Sequence, residues 1–105
     1  MIENLFSIEG KVAVVTGGSS GIGLMISRGY VEAGARVYIS SRKADVCEQV
    51  AKELSEIGTC TALPHDLSTV DGVRALSADI GRHETVVHIL VNKAGADSAA
   101  SLVAN

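Results

Sequence analysis

Lys11-Val12-Ala13-Val14-Val15-Thr16-Gly17-Gly18-Ser19-Ser20-Gly21-Ile22-Gly23 decides the fold of this chain. Its first half is an apolar, β-branched run, the signature of a strand buried on both faces of a parallel sheet. The run breaks into glycines. Leu24-Met25-Ile26-Ser27-Arg28-Gly29-Tyr30-Val31-Glu32-Ala33 follows and reads as a helix. A strand, a glycine turn and a helix in that order make an anion-binding device. The turn presents bare N–H groups, and the positive end of the helix dipole points at whatever anion sits there. Gly17 permits a sharp exit from the strand. Gly21 lets backbone approach a pyrophosphate, and Gly23 lets the helix pack closely on the sheet. The spacing is Gly-x-x-x-Gly-x-Gly. Taken alone, such a turn also suits an ordinary strand-to-helix connection with spare glycines.

Working outward, Gly34 suits the position after a helix because it tolerates positive φ. Arg36–Ser40 reads as a second strand. Val46, Cys47, Val50, Ala51, Leu54 and Ile57 recur at three and four and predict one apolar helix face, stopped by Gly58. Thr59–Leu63, closed by the only proline, Pro64, reads as a third strand. Ser68 with Asp71 predicts a capping box for a third helix with Val73, Leu76 and Ile80 inward. Val86–Val91 reads as the fourth strand. The order is β-α-β-α-β-α-β, with connections long enough for right-handed crossovers. The expected architecture is α/β: a Rossmann-type doubly wound parallel sheet of four strands, order 3-2-1-4, with helices on both faces. Residues 1–95 form that half-domain and 96–105 a C-terminal tail.

At 105 residues the chain suits one small domain. Its 9 basic and 12 acidic side chains form no basic stripe, which argues against a nucleic-acid partner. No apolar run approaches the about 18 residues of a membrane span. The N-terminus lacks the charged flank and apolar core of a signal peptide. Cys47 and Cys60 fall within apolar patterns and read as buried thiols. Neither they nor His65, His83 and His88 sit at metal-ligand spacing. His88 reads as a core histidine, and His83 as a solvated cation at a helix end. A cytoplasmic protein without a membrane partner is expected.

Thr16-Gly17-Gly18-Ser19-Ser20-Gly21-Ile22-Gly23 resembles the cofactor loop of the short-chain dehydrogenase/reductases. Ile89-Leu90-Val91-Asn92-Lys93-Ala94-Gly95 resembles that family's Asn-Asn-Ala-Gly turn after its fourth strand. The likeness runs from about Phe6 to Gly95 and is nearest to the 3-oxoacyl-acyl-carrier-protein reductase type, including rhamnolipid-associated reductases of fatty-acid metabolism. It implies an oxidoreductase moving hydride between a nicotinamide cofactor and a carbonyl. Gly17, Ser19, Ser20, Gly21, Ile22 and Gly23 would hold the pyrophosphate. The end of the second strand, about 20 residues on, would meet the adenosine ribose. Ser40-Ser41-Arg42-Lys43 offers no acid there and two cations. A planar guanidinium suits a 2′-phosphate, so NADP(H) is expected, with Arg42 as main contact, Ser41 as hydroxyl donor and Lys43 as a point charge.

In the family an Asp at the place of Asp66 reaches the adenine amino group, with backbone support from the position of Leu67. Asp66 also suits a simple turn with Ser68. Asn92, Ala94 and Gly95 fit the turn that contacts the nicotinamide-side ribose. Lys93 departs from the family pattern, which has a second asparagine there, and a lysine cannot accept hydrogen bonds. The family's catalytic Ser and Tyr-x-x-x-Lys have no counterpart. Tyr30 is followed four residues later by Gly34, and Tyr38 by Arg42. No catalytic residue is therefore assigned. The chain is expected to bind nucleotide without turning it over, as part of a reductase or as a non-catalytic nucleotide-binding or interaction module. A fourth strand with an open apolar edge is expected to self-associate.

Overall fold

The computed structural model describes residues 7–92. Within them run β1 (Val12–Thr16), α1 (Gly21–Glu32), β2 (Arg36–Ser40), α2 (Ala44–Leu54), β3 (Thr59–Ala62), α3 (Val70–His83) and β4 (Ile89–Asn92). The four strands form one parallel sheet in the order β3-β2-β1-β4, the order expected of a Rossmann-type sheet. Residues 1–6, Lys93, Ala94, Gly95 and the 96–105 tail lie outside the described residues.

Every residue of β1 is buried. The strand's two-residue period explains how. Ala13 and Val15, with Val37 and Ile39 of β2, pack under α1 and α2. Val12 and Val14, with Tyr38 of β2, pack against Val73, Leu76 and Ile80 of α3. Helices therefore cover both faces, and an unbroken apolar run is what such a strand requires.

Several boundaries differ from the sequence expectation. In α2, Cys47, Val50, Ala51 and Leu54 are buried, whereas Val46 and Ile57 are exposed. The helix ends at Leu54, before Gly58, and the hydroxyl of Ser55 donates to the Cys60 carbonyl (2.9 Å). Gly58 has no positive φ. A Cβ there would stand 3.0 Å from both the side chain and the carbonyl oxygen of Val31, so close approach to α1 is its role. Ser68 caps nothing. Thr69 is the N-cap of α3, its Oγ accepting from the Gly72 N–H (3.0 Å), while Ser68 donates to Asp66 instead. β3 ends one residue early, although the Leu63 N–H still donates to the Ile39 carbonyl (2.9 Å).

β4 starts at Ile89 rather than Val86. The cause is His88, which is exposed rather than buried in the core. Its Nδ1 accepts from the Val12 N–H (2.9 Å), and its own N–H donates to the Val12 carbonyl (2.9 Å). With the Val12 donor satisfied by a ring, no upstream carbonyl is needed to continue the ladder. Val86 and Val87 turn out to solvent, 55% and 41% exposed.

Cys47 and Cys60 are free and buried. Burial, with Cys47 nearby, pushes the Cys60 thiol from 9.0 up to about 12. The unfolded chain would shed that proton above about pH 9, while the native state retains it. Stability due to the neutral thiol is present below pH 9 and is lost as pH rises toward 12. The urea midpoint should therefore fall between about pH 8 and about pH 10.5, and fall less steeply in Cys60→Ala. Equal slopes in the two proteins would refute this assignment.

Candidate nucleotide-binding site

The C-terminal ends of β1, β2, β3 and β4 meet the glycine turn on one edge of the sheet. Gly17 leaves β1 with φ +70°, and its N–H donates to the Ser40 carbonyl (2.7 Å). The turn therefore begins bonded to the neighbouring strand. Gly21 opens α1 at φ +56° and has open space where a Cβ would sit. A Cβ on Gly23 would overlap the carbonyl of Gly17. The glycine thus packs the helix onto the turn itself, a closer contact than the helix-on-sheet packing expected of it. Leu24 is the first helical residue whose N–H finds a carbonyl, that of Ser20 at 3.1 Å. The N–H groups of Gly21, Ile22 and Gly23 find none among the described residues.

Ser20 is the N-cap in extended conformation, but its hydroxyl makes no capping bond, and the first turn of α1 carries no acid. The positive end of the helix is thus not neutralised by its own cap or first turn. Ser20 and Ile22 are exposed. Ser19 is buried, and its hydroxyl donates to the Ser41 hydroxyl (2.9 Å), joining the turn to the end of β2. Ser27, absent from the sequence reading, is fully buried on α1. Its hydroxyl lies 2.9 Å from the Gly23 carbonyl and 3.3 Å from that of Gly18. The available signal was its place one helical turn after Gly23, on the inward side.

Beside the turn, Gly17, Ser41, Arg42, His65, Asp66, Leu67 and Ser68 line a cleft of about 280 Å³. Five of these seven residues are ones the sequence marks as cofactor contacts. Arg42 is exposed at the cleft. Lys43 is the N-cap of α2 and is not among the lining residues; its carbonyl accepts from the Cys47 N–H (2.9 Å). One oxygen of Asp66 accepts from both the N–H and the hydroxyl of Ser68 (3.0 and 2.6 Å). Those bonds, and then the charge of Arg42, hold the Asp66 carboxyl below its ordinary value. Asp66 is thus ionised near neutrality, one oxygen committed to the turn with Ser68.

Gly72 is a second residue that the sequence reading missed. A Cβ there would overlap the Asp66 carbonyl, so the first turn of α3 sits directly on the loop that carries Asp66. At the far side of the turn, the Thr16 hydroxyl donates to Asn92 Oδ1 (2.7 Å), which brings Asn92 beside the end of β1. The arrangement has an unpaired run of N–H donors, open space beside Gly21, and a guanidinium at the adjoining cleft. These features suit a phosphorylated dinucleotide. Among the described residues no group of three or more His, Cys, Asp or Glu could hold a metal ion, and no helix is long and apolar enough to cross a membrane.

A family model described as short chain dehydrogenase matches residues 11–104. The chain is 48% identical over 97 residues to the rhamnolipids biosynthesis 3-oxoacyl-[acyl-carrier-protein] reductase of Pseudomonas aeruginosa, covering 92% of this chain and 38% of that protein. The Pseudomonas aeruginosa RhlG/NADP active-site complex superposes with a TM-score of 0.88 at 42% identity, over 94% of this chain and 46% of that one. The L-sorbose reductase of Gluconobacter frateurii, complexed with NADPH and L-sorbose, gives 0.80 at 36% identity, over 86% of this chain and 35% of that one. This chain therefore spans less than half the length of these relatives.

Proposed function

Because the chain belongs to the short-chain dehydrogenase family, we propose that it is the NADP(H)-binding portion of a reductase that moves hydride between NADPH and a carbonyl, with 3-oxoacyl thioesters as the substrate class. The observation that carries this reading is the Gly17–Gly23 turn, where three free N–H groups and an unneutralised helix start face the same edge as Arg42. Two of the similar structures contain NADP or NADPH.

In this reading Gly17, Ser19, Ser20, Gly21, Ile22 and Gly23 hold the pyrophosphate. Ser41 and Arg42 take the 2′-phosphate, with Lys43 adding charge from the start of α2. Asp66, through the oxygen that Ser68 leaves free, and Leu67 meet adenine. Asn92, with Ala94 and Gly95, meets the nicotinamide-side ribose. No residue of the 105 is assigned to proton or hydride transfer.

Titration of the chain with NADPH should enhance nucleotide fluorescence in a saturable way. NADPH absorbance should stay constant when an acetoacetyl thioester is added. No fluorescence change at millimolar nucleotide would sink the binding claim, and steady oxidation would sink the claim of inactivity.

We also infer that the outer edge of β4, with Val86 and Val87 exposed beside it, pairs with a second copy of the chain. Sedimentation at micromolar concentration should show a dimer. A monodisperse monomer would count against this pairing.

A further inference from the structure

The cleft between the ends of β2 and β3 has one wall residue with no role so far, His65. It is fastened at two points. Its backbone N–H donates to the Ser41 carbonyl (3.2 Å), tying the β3–α3 loop to the end of β2. Its ring Nε2 lies 2.6 Å from Asp79 Oδ2, tying the same loop to the middle of α3. The other oxygen of Asp79 pairs with Arg82, one helical turn on. His65 and Asp79 side chains are only 20% and 23% exposed.

Asp79 and Arg82 of α3 lie beside the ring, and Arg42 and Asp66 line the same cleft as His65. Burial, and then the Arg82 charge, pushes the imidazole below its ordinary value. Facing a carboxylate, Nε2 carries the proton and donates it to Asp79. The backbone bond holds the loop that bears Asp66 and Leu67 against the strand end that bears Ser41 and Arg42, and the ring bond braces the same loop against α3.

We propose that His65, positioned by Asp79, is a specificity-determining residue of this cleft. By setting its width, it fixes where the ribose of a seated adenosine meets Arg42, and with that the preference for a 2′-phosphate over a 2′-hydroxyl. This rests on the nucleotide reading above. The physical reason is the narrow geometry of a guanidinium–phosphate pair. A bidentate contact weakens steeply when its partners shift, whereas an unphosphorylated ribose makes no such contact and loses little.

The test is calorimetric titration of the whole chain with NADP+ and with NAD+, using Asp79→Ala, Asp79→Asn and His65→Phe. Asp79→Ala and His65→Phe should each weaken NADP+ about tenfold and NAD+ less than about twofold, as expected when one charge-assisted contact is misplaced. Asp79→Asn keeps an acceptor for the Nε2 proton and should restore NADP+ affinity to within about twofold of the native chain. The His65→Phe/Asp79→Ala double variant should be no weaker than either single one, because the two residues act as a unit.

Equal weakening of both nucleotides, failure of Asp79→Asn to rescue, or additive losses would each overturn the proposal. A native chain that binds neither nucleotide would bring down the nucleotide reading and the proposal together. If Asp79→Ala does not fold, the pairing of His65→Phe with Asp79→Asn decides on its own.

Discussion

Gly23→Ala should unfold the start of α1 or abolish nucleotide binding, while Gly29→Ala in the same helix should make the protein more stable. In a helix interior, Ala is favoured over Gly by about 1 kcal/mol. That gain is available at Gly29, where nothing lies within 4 Å of an added Cβ. At Gly23 the added Cβ would overlap the Gly17 carbonyl, and carbon and Cα atoms of the same turn stand close behind it, at 2.8 and 3.2 Å. Those atoms are backbone and cannot swing aside. The N–H of Gly17 is also bonded to the Ser40 carbonyl, so the turn cannot retreat without breaking a contact to β2. Overpacking costs about 1–3 kcal/mol where side chains can adjust, and more is expected here. Urea unfolding of both variants checks the sign at each site. A Gly23→Ala protein as stable as Gly29→Ala would mean that the helix does not rest on the turn.

Arg42→Ala should separate the two nucleotides. A hydrogen bond to a charged group is worth about 1.5–3 kcal/mol, which corresponds to a loss of about 10- to 150-fold in NADP+ affinity. NAD+ lacks the 2′-phosphate and should change by less than about twofold. Arg42 is exposed, so the effect belongs at the low end of that range and should shrink further in high salt. Asp66 bears on the same measurement. Its carboxyl is held below its ordinary value by Ser68 and then by Arg42, so Arg42→Ala removes one of the groups that favour its charge. Competition titrations of NADP+ and NAD+ against the native chain and the variant read the result directly. Equal loss for both nucleotides would place Arg42 outside the ribose site.

Much of the architecture was legible because it rests on local patterns. The β1 run is apolar at every position since helices cover both of its faces. That composition can be seen without knowing which helix lies where. The inner face of α3, at Val73, Leu76 and Ile80, was legible for the same kind of reason. The edges were less so. A hydroxyl three residues before an acid suggested Ser68 as a cap, but Asp66 lies within reach and takes both Ser68 donors, leaving Thr69 to begin the helix. Val86 and Val87 have strand composition, yet a histidine ring takes the Val12 donor and the ladder stops short of them.

The site divides along the same line. The sequence by itself determined the glycine turn, the order of strands and helices, and the placing of Arg42 without an acid at the end of the second strand. These follow from residue type and spacing along one stretch of chain. Only the tertiary structure decided that Gly23 rests on the Gly17 carbonyl, that Gly72 seats α3 on Asp66, that Lys43 caps a helix outside the cleft, and that Asp79 on α3 braces His65. The reason is distance along the chain. Each of these depends on which atoms of separate elements come within a few ångströms, and no local pattern encodes the packing that brings them there.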